Sequence, residues 1–297
     1  MTDITLLDGG LGQELIRRVP EPPTALWSTQ VMADHPGLVR AVHRDFLAAG
    51  ATVITANTYA LHRDRFTGTD FEPRYEDLIA QALQEAEEAR SAHGSGRIAG
   101  SIGPLVASYR PDVHPPADKA MPAYAELARL LAPACDLIIC ETVASVDHAR
   151  GVLAGAAWSG KPVWLAVTVD DDDGTRLRSG EPLADVLPVA GAGAEALLVN
   201  CSAPEAMPAA LDILATGALP YGAYANGFAQ ITKAFLQNRP TVDDLPKRPE
   251  MTPDLYARHA MGWIAQGATI VGGCCEIGPA HIETLARAIR AAGHRIV

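Results

Sequence analysis

The chain has 297 residues, 48% of them hydrophobic and only 5% aromatic, and carries a formal net charge of −11. That charge argues against a nucleic-acid partner, because few cationic groups are available to displace counterions from a phosphate backbone. The N-terminus lacks a basic segment followed by an apolar run, and no apolar stretch approaches the roughly 20 residues that span a bilayer, so a cytoplasmic protein with no membrane partner is expected.

In chain order, the pattern predicts a first strand over 4–8, closed by Gly9-Gly10, and a short helix over 11–18. A proline-rich loop follows around Pro20, Pro22 and Pro23, then a helix over 37–49 that stops at Gly50. A second strand over 52–56 ends in Asn57, a long helix covers 75–92, and a third strand covers 97–101. A helix over 124–132 precedes the fourth strand, 136–140, which runs into Glu141-Thr142. Next come a helix over 146–158, a fifth strand over 162–169, and an acidic turn over 170–174 expected to be a solvated hairpin. A helix over 183–190, a sixth strand over 195–200 and a helix opened by Pro204 follow. The seventh strand covers 220–224, and a proline-rich loop fills 239–249. Thr252 caps a helix that Pro253 begins and that reaches 266. The last strand, Ala268-Thr-Ile-Val271, meets Gly272-Gly273-Cys274-Cys275, and a final helix spans 279–292.

Eight short apolar runs, each followed by a helical stretch, imply a parallel sheet, and eight such units match a single (β/α)8 TIM barrel over residues 1–297. A doubly wound open sheet is the competitor, but the first strand–helix turn, Asp8-Gly9-Gly10-Leu11-Gly12, is not a dinucleotide-binding fingerprint. The polar residues that interrupt the runs sit at their C-terminal ends: Asp8, Asn57, Ser101, Glu141, Asn200, Asn226 and the cysteines. A barrel gathers those ends around one mouth.

Five cysteines without an export signal point to thiol or metal chemistry rather than structural disulfides. Cys201 follows the sixth strand and Cys274-Cys275 the eighth, so a barrel brings the three together. Three thiolates suit Zn(2+) and leave a fourth position for a substrate thiol. The alternatives are a vicinal Cys274–Cys275 disulfide or two small buried residues. Cys135 and Cys140 lie beside and within an apolar run and are expected to be buried, inert thiols. No His-Glu-x-x-His pair exists, and His62, His114 and His281 read as surface or cap residues.

The chain resembles the homocysteine S-methyltransferase family. Leu7-Asp8-Gly9-Gly10-Leu11-Gly12, Ala99-Gly-Ser-Ile-Gly-Pro104, Cys140-Glu141-Thr142, Val199-Asn200-Cys201 and Val271-Gly-Gly-Cys-Cys275 match its motifs in the family's order across nearly the whole chain. The resemblance implies a zinc-dependent thiol methyltransferase on a (β/α)8 barrel, with zinc on Cys201, Cys274 and Cys275. Asp8 and Glu141 would pair with the ammonium of the amino-acid substrate, Gly9 would share in binding it, and Asn200 would orient the site. Bonding within its own turn is the other role open to Asp8, and an ordinary turn role is open to Asn200. The substrates implied are homocysteine and a methyl donor, S-methylmethionine first, then S-adenosylmethionine, then betaine or dimethylsulfoniopropionate. After the seventh strand the family shows an asparagine, a small residue, a glycine and an acid, whereas this chain has Asn226-Gly227-Phe228. No cobalamin or folate module is expected, and the oligomeric state is left open between monomer and homodimer. A zinc- or redox-responsive binding protein and a barrel hydrolase or lyase with Glu141 as general base are the rival readings.

Overall fold

The apolar runs fold as strands and the amphipathic stretches as helices: β1 (Asp3–Leu6), α1 (Leu11–Arg17), α2 (Trp27–Asp34), α3 (Leu38–Ala48), β2 (Val53–Thr55), α4 (Arg63–Phe66), α5 (Tyr75–His93), β3 (Arg97–Ile102), α6 (Ala117–Leu131), β4 (Leu137–Val143), α7 (Val146–Ala156), β5 (Val163–Val167), α8 (Leu187–Gly193), β6 (Ala196–Asn200), α9 (Met207–Leu214), β7 (Tyr221–Tyr224), α10 (Pro253–Ala265), β8 (Ile270–Val271), α11 (Pro279–Ala291) and β9 (Arg295–Ile296). This computed structural model describes residues 1–22, 24, 26–229, 231 and 248–297. Pro23 and most of the proline-rich loop expected over 239–249 lie outside the described residues.

The strands form one parallel sheet in the order β2-β3-β4-β5-β6-β7-β8-β1-β9. The sheet curls until β2 meets β1 again. Leu7, just past β1, bridges Val53 in parallel. Thr52 N–H donates to the Leu6 carbonyl at 2.7 Å, and Asp8 N–H to the Val53 carbonyl at 3.0 Å. Strands in a sheet covered on both faces read as continuous apolar runs, and β4 is buried at all seven positions. Its alternation divides two cores: Leu137 and Ile139 join an inner cluster with Val53, Ala99, Trp164 and Leu198, whereas Ile138 and Cys140 join the cluster under the helices. Cys135 and Cys140 are buried free thiols, as expected of inert packing residues.

Local chemistry explains several boundaries. Thr252 accepts from Leu255 N–H at 3.3 Å with Pro253 next, and α10 starts where the cap places it. α5 ends on Gly94 at φ +85°, a conformation that glycine adopts without a Cβ penalty. The pattern missed other elements. α6 begins at Ala117, not at residue 124, and runs through Pro122, which lies inside the helix and leaves the Asp118 carbonyl without its usual N–H partner. The 183–190 helix is a 3-10 turn, Leu183–Val186, leading into α8. The two-turn α2, the single-turn α4 and the two-residue β9 are too short to carry a detectable period.

Gly222 marks where β7 and β8 approach most tightly. A Cβ on it would lie 1.7 Å from the Ile270 carbonyl oxygen, inside the ladder that pairs the two strands. Gly222→Ala is therefore expected to lose about 1–3 kcal/mol or more of stability, as overpacked cores do, and urea unfolding monitored by circular dichroism measures it.

Candidate metal centre and substrate cavity

Side-chain alternation continues from the inner core to the strand ends. Thr55 follows Val53, Ser101 follows Ala99, Glu141 follows Ile139, Asn200 follows Leu198 and Tyr224 follows Gly222, each two residues on and so on the same face. Thr55, Ser101, Glu141 and Tyr224 line one cavity with Asp8, Gly9, Trp27, Tyr59, Tyr109 and all three strand-end cysteines. Asn200 stands behind it, fully buried.

Glu141 is a carboxylate within a strand of otherwise apolar or neutral residues, and its desolvation is answered by neutral donors. Ser101 Oγ donates to Oε1; Tyr224 OH and Asn200 Nδ2 donate to Oε2 at 3.1 and 3.4 Å. Burial still pushes the Glu141 carboxyl above its ordinary value. Burial and the neighbouring carboxylate hold the Tyr224 phenol far above its own, so it stays a donor. The register of β4 against β5 shifts between Cys140 and Val143, and Thr142 takes φ +60°. Such a bulge re-aims side chains beside functional sites and leaves an N–H outside the ladder. Asn200 Oδ1 accepts that Thr142 N–H at 3.0 Å. Asn200 thus bonds both the bulge and the Glu141 carboxylate.

Asp8 bonds across the sheet rather than within its own turn. Its carboxylate accepts Thr55 N–H at 2.7 Å and Thr55 Oγ at 2.9 Å. Burial raises its pKa to about 7, with the Glu141 charge adding to the rise. Among the described residues, no Lys, Arg or His lines the cavity. The two buried carboxylates therefore have no cation of the protein's own there. Gly9 lines the same wall, where a Cβ would sit 2.0 Å from the Ile277 carbonyl oxygen; its place lets the β1 turn close against the turn that carries Cys274 and Cys275.

The sulfur atoms of Cys201, Cys274 and Cys275 all lie within 4.8 Å of one another. Cys201 and Cys274 are joined in a disulfide with Cα atoms 5.8 Å apart, while Cys275 is a free thiol. The vicinal Cys274–Cys275 pairing is thus not formed; those two sulfurs stand 4.0 Å apart. Cys201 adopts φ +49°, a conformation that costs an L-residue about 1–2 kcal/mol. Burial pushes the Cys275 thiol up to about 12. Three close sulfurs on the ends of two strands are a donor set that fits zinc once reduced.

Sequence reasoning missed several neighbours. Trp27, at the start of the short α2, and Tyr59 and Tyr109, in loops, line the cavity from positions no periodicity reveals. The acidic turn is a hairpin, closed by the Val169–Leu177 bridge, but Asp171 is not solvated: it forms a two-pronged pair with Arg178 at 2.7 and 2.9 Å. The histidine expectation holds for His281, which caps α11 by accepting Gly278 N–H at 3.2 Å. It fails for His62, buried and bonded to the Gly103 carbonyl at 2.9 Å, and for His114, which stacks on His148 and bonds Tyr124 OH at 2.7 Å. Both serve packing away from the cavity.

The sequence model of a family described as homocysteine S-methyltransferase matches residues 5–289. Homocysteine S-methyltransferase of Escherichia coli (strain K12) is 30% identical, over 95% of this chain and 94% of its own length. Homocysteine S-methyltransferase 4 of Zea mays is also 30% identical, over 97% and 90%. Among solved structures, the metallated form of the E. coli homocysteine methyltransferase MmuM superposes with a TM-score of 0.80 at 28% identity, covering 96% of each chain, and the oxidized form does so equally well.

The raised Asp8 carboxyl has a pH signature. Between its ordinary value of 3.8 and its folded value of about 7, the folded state keeps a proton that the unfolded state has lost, so stability falls as pH rises through that window. Asp8→Asn removes this slope. Its stability relative to the substrate-free wild type is expected to increase from pH 4 to 7.5, by at most about 4 kcal/mol, in denaturant titrations run at each pH.

Proposed function

The chain belongs to the homocysteine S-methyltransferase family, and from that premise we propose a zinc-dependent enzyme that moves a methyl group from a sulfonium donor to L-homocysteine, giving methionine. The observation that carries this reading is the cavity lining: two buried carboxylates and three sulfurs, no cationic side chain among the described residues, and the rings of Trp27, Tyr59, Tyr109 and Tyr224 around them. Cys201, Cys274 and Cys275 would hold the zinc, which when bound supplies a substrate thiolate at neutral pH without a dedicated base. Asp8 and Glu141 bind and orient the amino acid through its ammonium, and Asn200, Ser101 and Tyr224 keep Glu141 in place. Buried, uncompensated carboxylates and aromatic faces attract a cationic methyl donor. The substrate sulfur forms its bond to the methyl carbon as the donor's carbon–sulfur bond breaks. The sulfonium leaves as a neutral thioether, and the thiol proton goes to solvent. S-methylmethionine is the preferred donor, S-adenosylmethionine the next, and betaine or dimethylsulfoniopropionate the third. The same reading takes residues 1–297 as one domain and the curled sheet as a closed (β/α)8 barrel, supported by the Leu7–Val53 bridge, with β9 outside the eight.

A second reading, a redox-responsive binding protein without turnover, has the Cys201–Cys274 disulfide in its favour. The two separate on reduced protein.

Elemental analysis is expected to find one zinc per chain, lost in Cys201→Ala. Mass spectrometry of reactions with homocysteine and a donor panel is expected to find methionine, most rapidly with S-methylmethionine. Zinc absent from reduced wild type, or retained in Cys201→Ala, would sink the three-thiolate site, and methionine formation removes the binding-protein reading. Glu141→Gln exchanges a charged partner of the ammonium for a neutral one. Such bonds contribute about 1.5–3 kcal/mol, so kcat/KM for homocysteine should drop by about 10- to 100-fold, chiefly through KM.

A further inference from the structure

Cys201 is held in its left-handed conformation by bonds to its backbone. Its N–H donates to the Tyr224 carbonyl at 3.3 Å, and its carbonyl accepts Thr168 Oγ at 3.3 Å. Thr168, just beyond β5, is fully buried. Its hydroxyl also receives Arg178 Nε–H at 3.3 Å. An arginine Nε can only donate, so the threonine accepts there and its own proton is left for the Cys201 carbonyl; Ser202 Oγ stands 3.1 Å from the same hydroxyl. Arg178 has no freedom to release that constraint. Its fork is engaged by Asp171, with the two side chains 11% and 10% exposed. Asp171 is itself fixed by Ala203 N–H at 2.9 Å, two residues past Cys201, and by Ile231 N–H at 3.2 Å.

We infer that Asp171, Arg178 and Thr168 form a positioning relay that sets the backbone of Cys201, and through it the direction of one of the three sulfurs. The relay ties the ends of β5 and β6 to residue 231 beyond β7. None of its three members lines the cavity. They are positioning residues, acting on the metal ligand through its carbonyl, and the inference rests on the zinc reading of the three cysteines.

The test measures zinc affinity of the reduced, zinc-free protein by competition with a chromophoric chelator, with the melting temperature of the same zinc-free sample taken alongside. Thr168→Val keeps the shape and removes the hydroxyl; it is expected to bind zinc about 10- to 100-fold more weakly, the usual effect of losing a group that orients a ligand. Thr168→Ser, which restores the donor, should return to within about threefold of wild type. Arg178→Lys keeps the charge but loses Nε and the fork, and it carries the same comparison if Thr168→Val does not fold. Zinc affinity of the folded variants within threefold of wild type, whatever the melting temperature does, overturns the relay while leaving the metal site standing. A reduced wild type that binds no zinc overturns both.

Discussion

A carboxylate held out of water at Glu141 has to be answered by donors, and the neighbouring strand ends supply them. Ser101 comes from β3, Asn200 from β6 and Tyr224 from β7. All three donors are neutral. Asp8 is answered in the same way by Thr55. Neutral donors reduce the cost of burying a charge without cancelling it, and both carboxyls remain above their ordinary range. Among the described residues no cationic side chain lines the cavity beside these two carboxyls.

The cysteine cluster presents a parallel case with sulfur. Cys274 and Cys275 sit on a turn locked from both sides: Cys274 N–H bonds the Ala225 carbonyl at 2.9 Å, and Gly227 N–H bonds the Cys275 carbonyl at 2.8 Å. Cys201 is delivered from another strand in a conformation that needs external support. In the oxidised arrangement Cys201 and Cys274 satisfy each other, leaving Cys275 as the free thiol of the cluster. The other thiols, Cys135 and Cys140, are buried among apolar neighbours and take no part in the cluster.

What the chain reveals before folding follows from periodicity. The strand runs are visible because they are buried on both faces, and the polar residues that end them stand out against that background. The two-residue alternation carries Leu137 and Ile139 on to Glu141, and Ala196 and Leu198 on to Asn200, so half the ring could be placed from the pattern alone. The members contributed by loops could not. Trp27 opens a two-turn helix too short to show a period, Tyr109 lies in a connection with no repeating signal, and Asp171 looked like one of four solvated aspartates until Arg178, seven residues on, was found folded against it. The bulge at Thr142 was equally hidden, since it depends on the register of β4 against β5 and not on either strand alone.

β9 offers a consequence of a different kind. Its two residues pair with the start of β1, Asp3 opposite Arg295, and Thr52 Oγ bonds the Val297 carbonyl at 2.6 Å. Residues 3–4 and 295–297 therefore lie side by side where the strands begin, on the face away from the cavity. A short peptide joining them would close the chain into a ring without crossing the mouth. New termini could then be opened in a surface loop, making the scaffold suited to circular permutation, and a surface tether attached at either of these segments would leave the cavity facing solution.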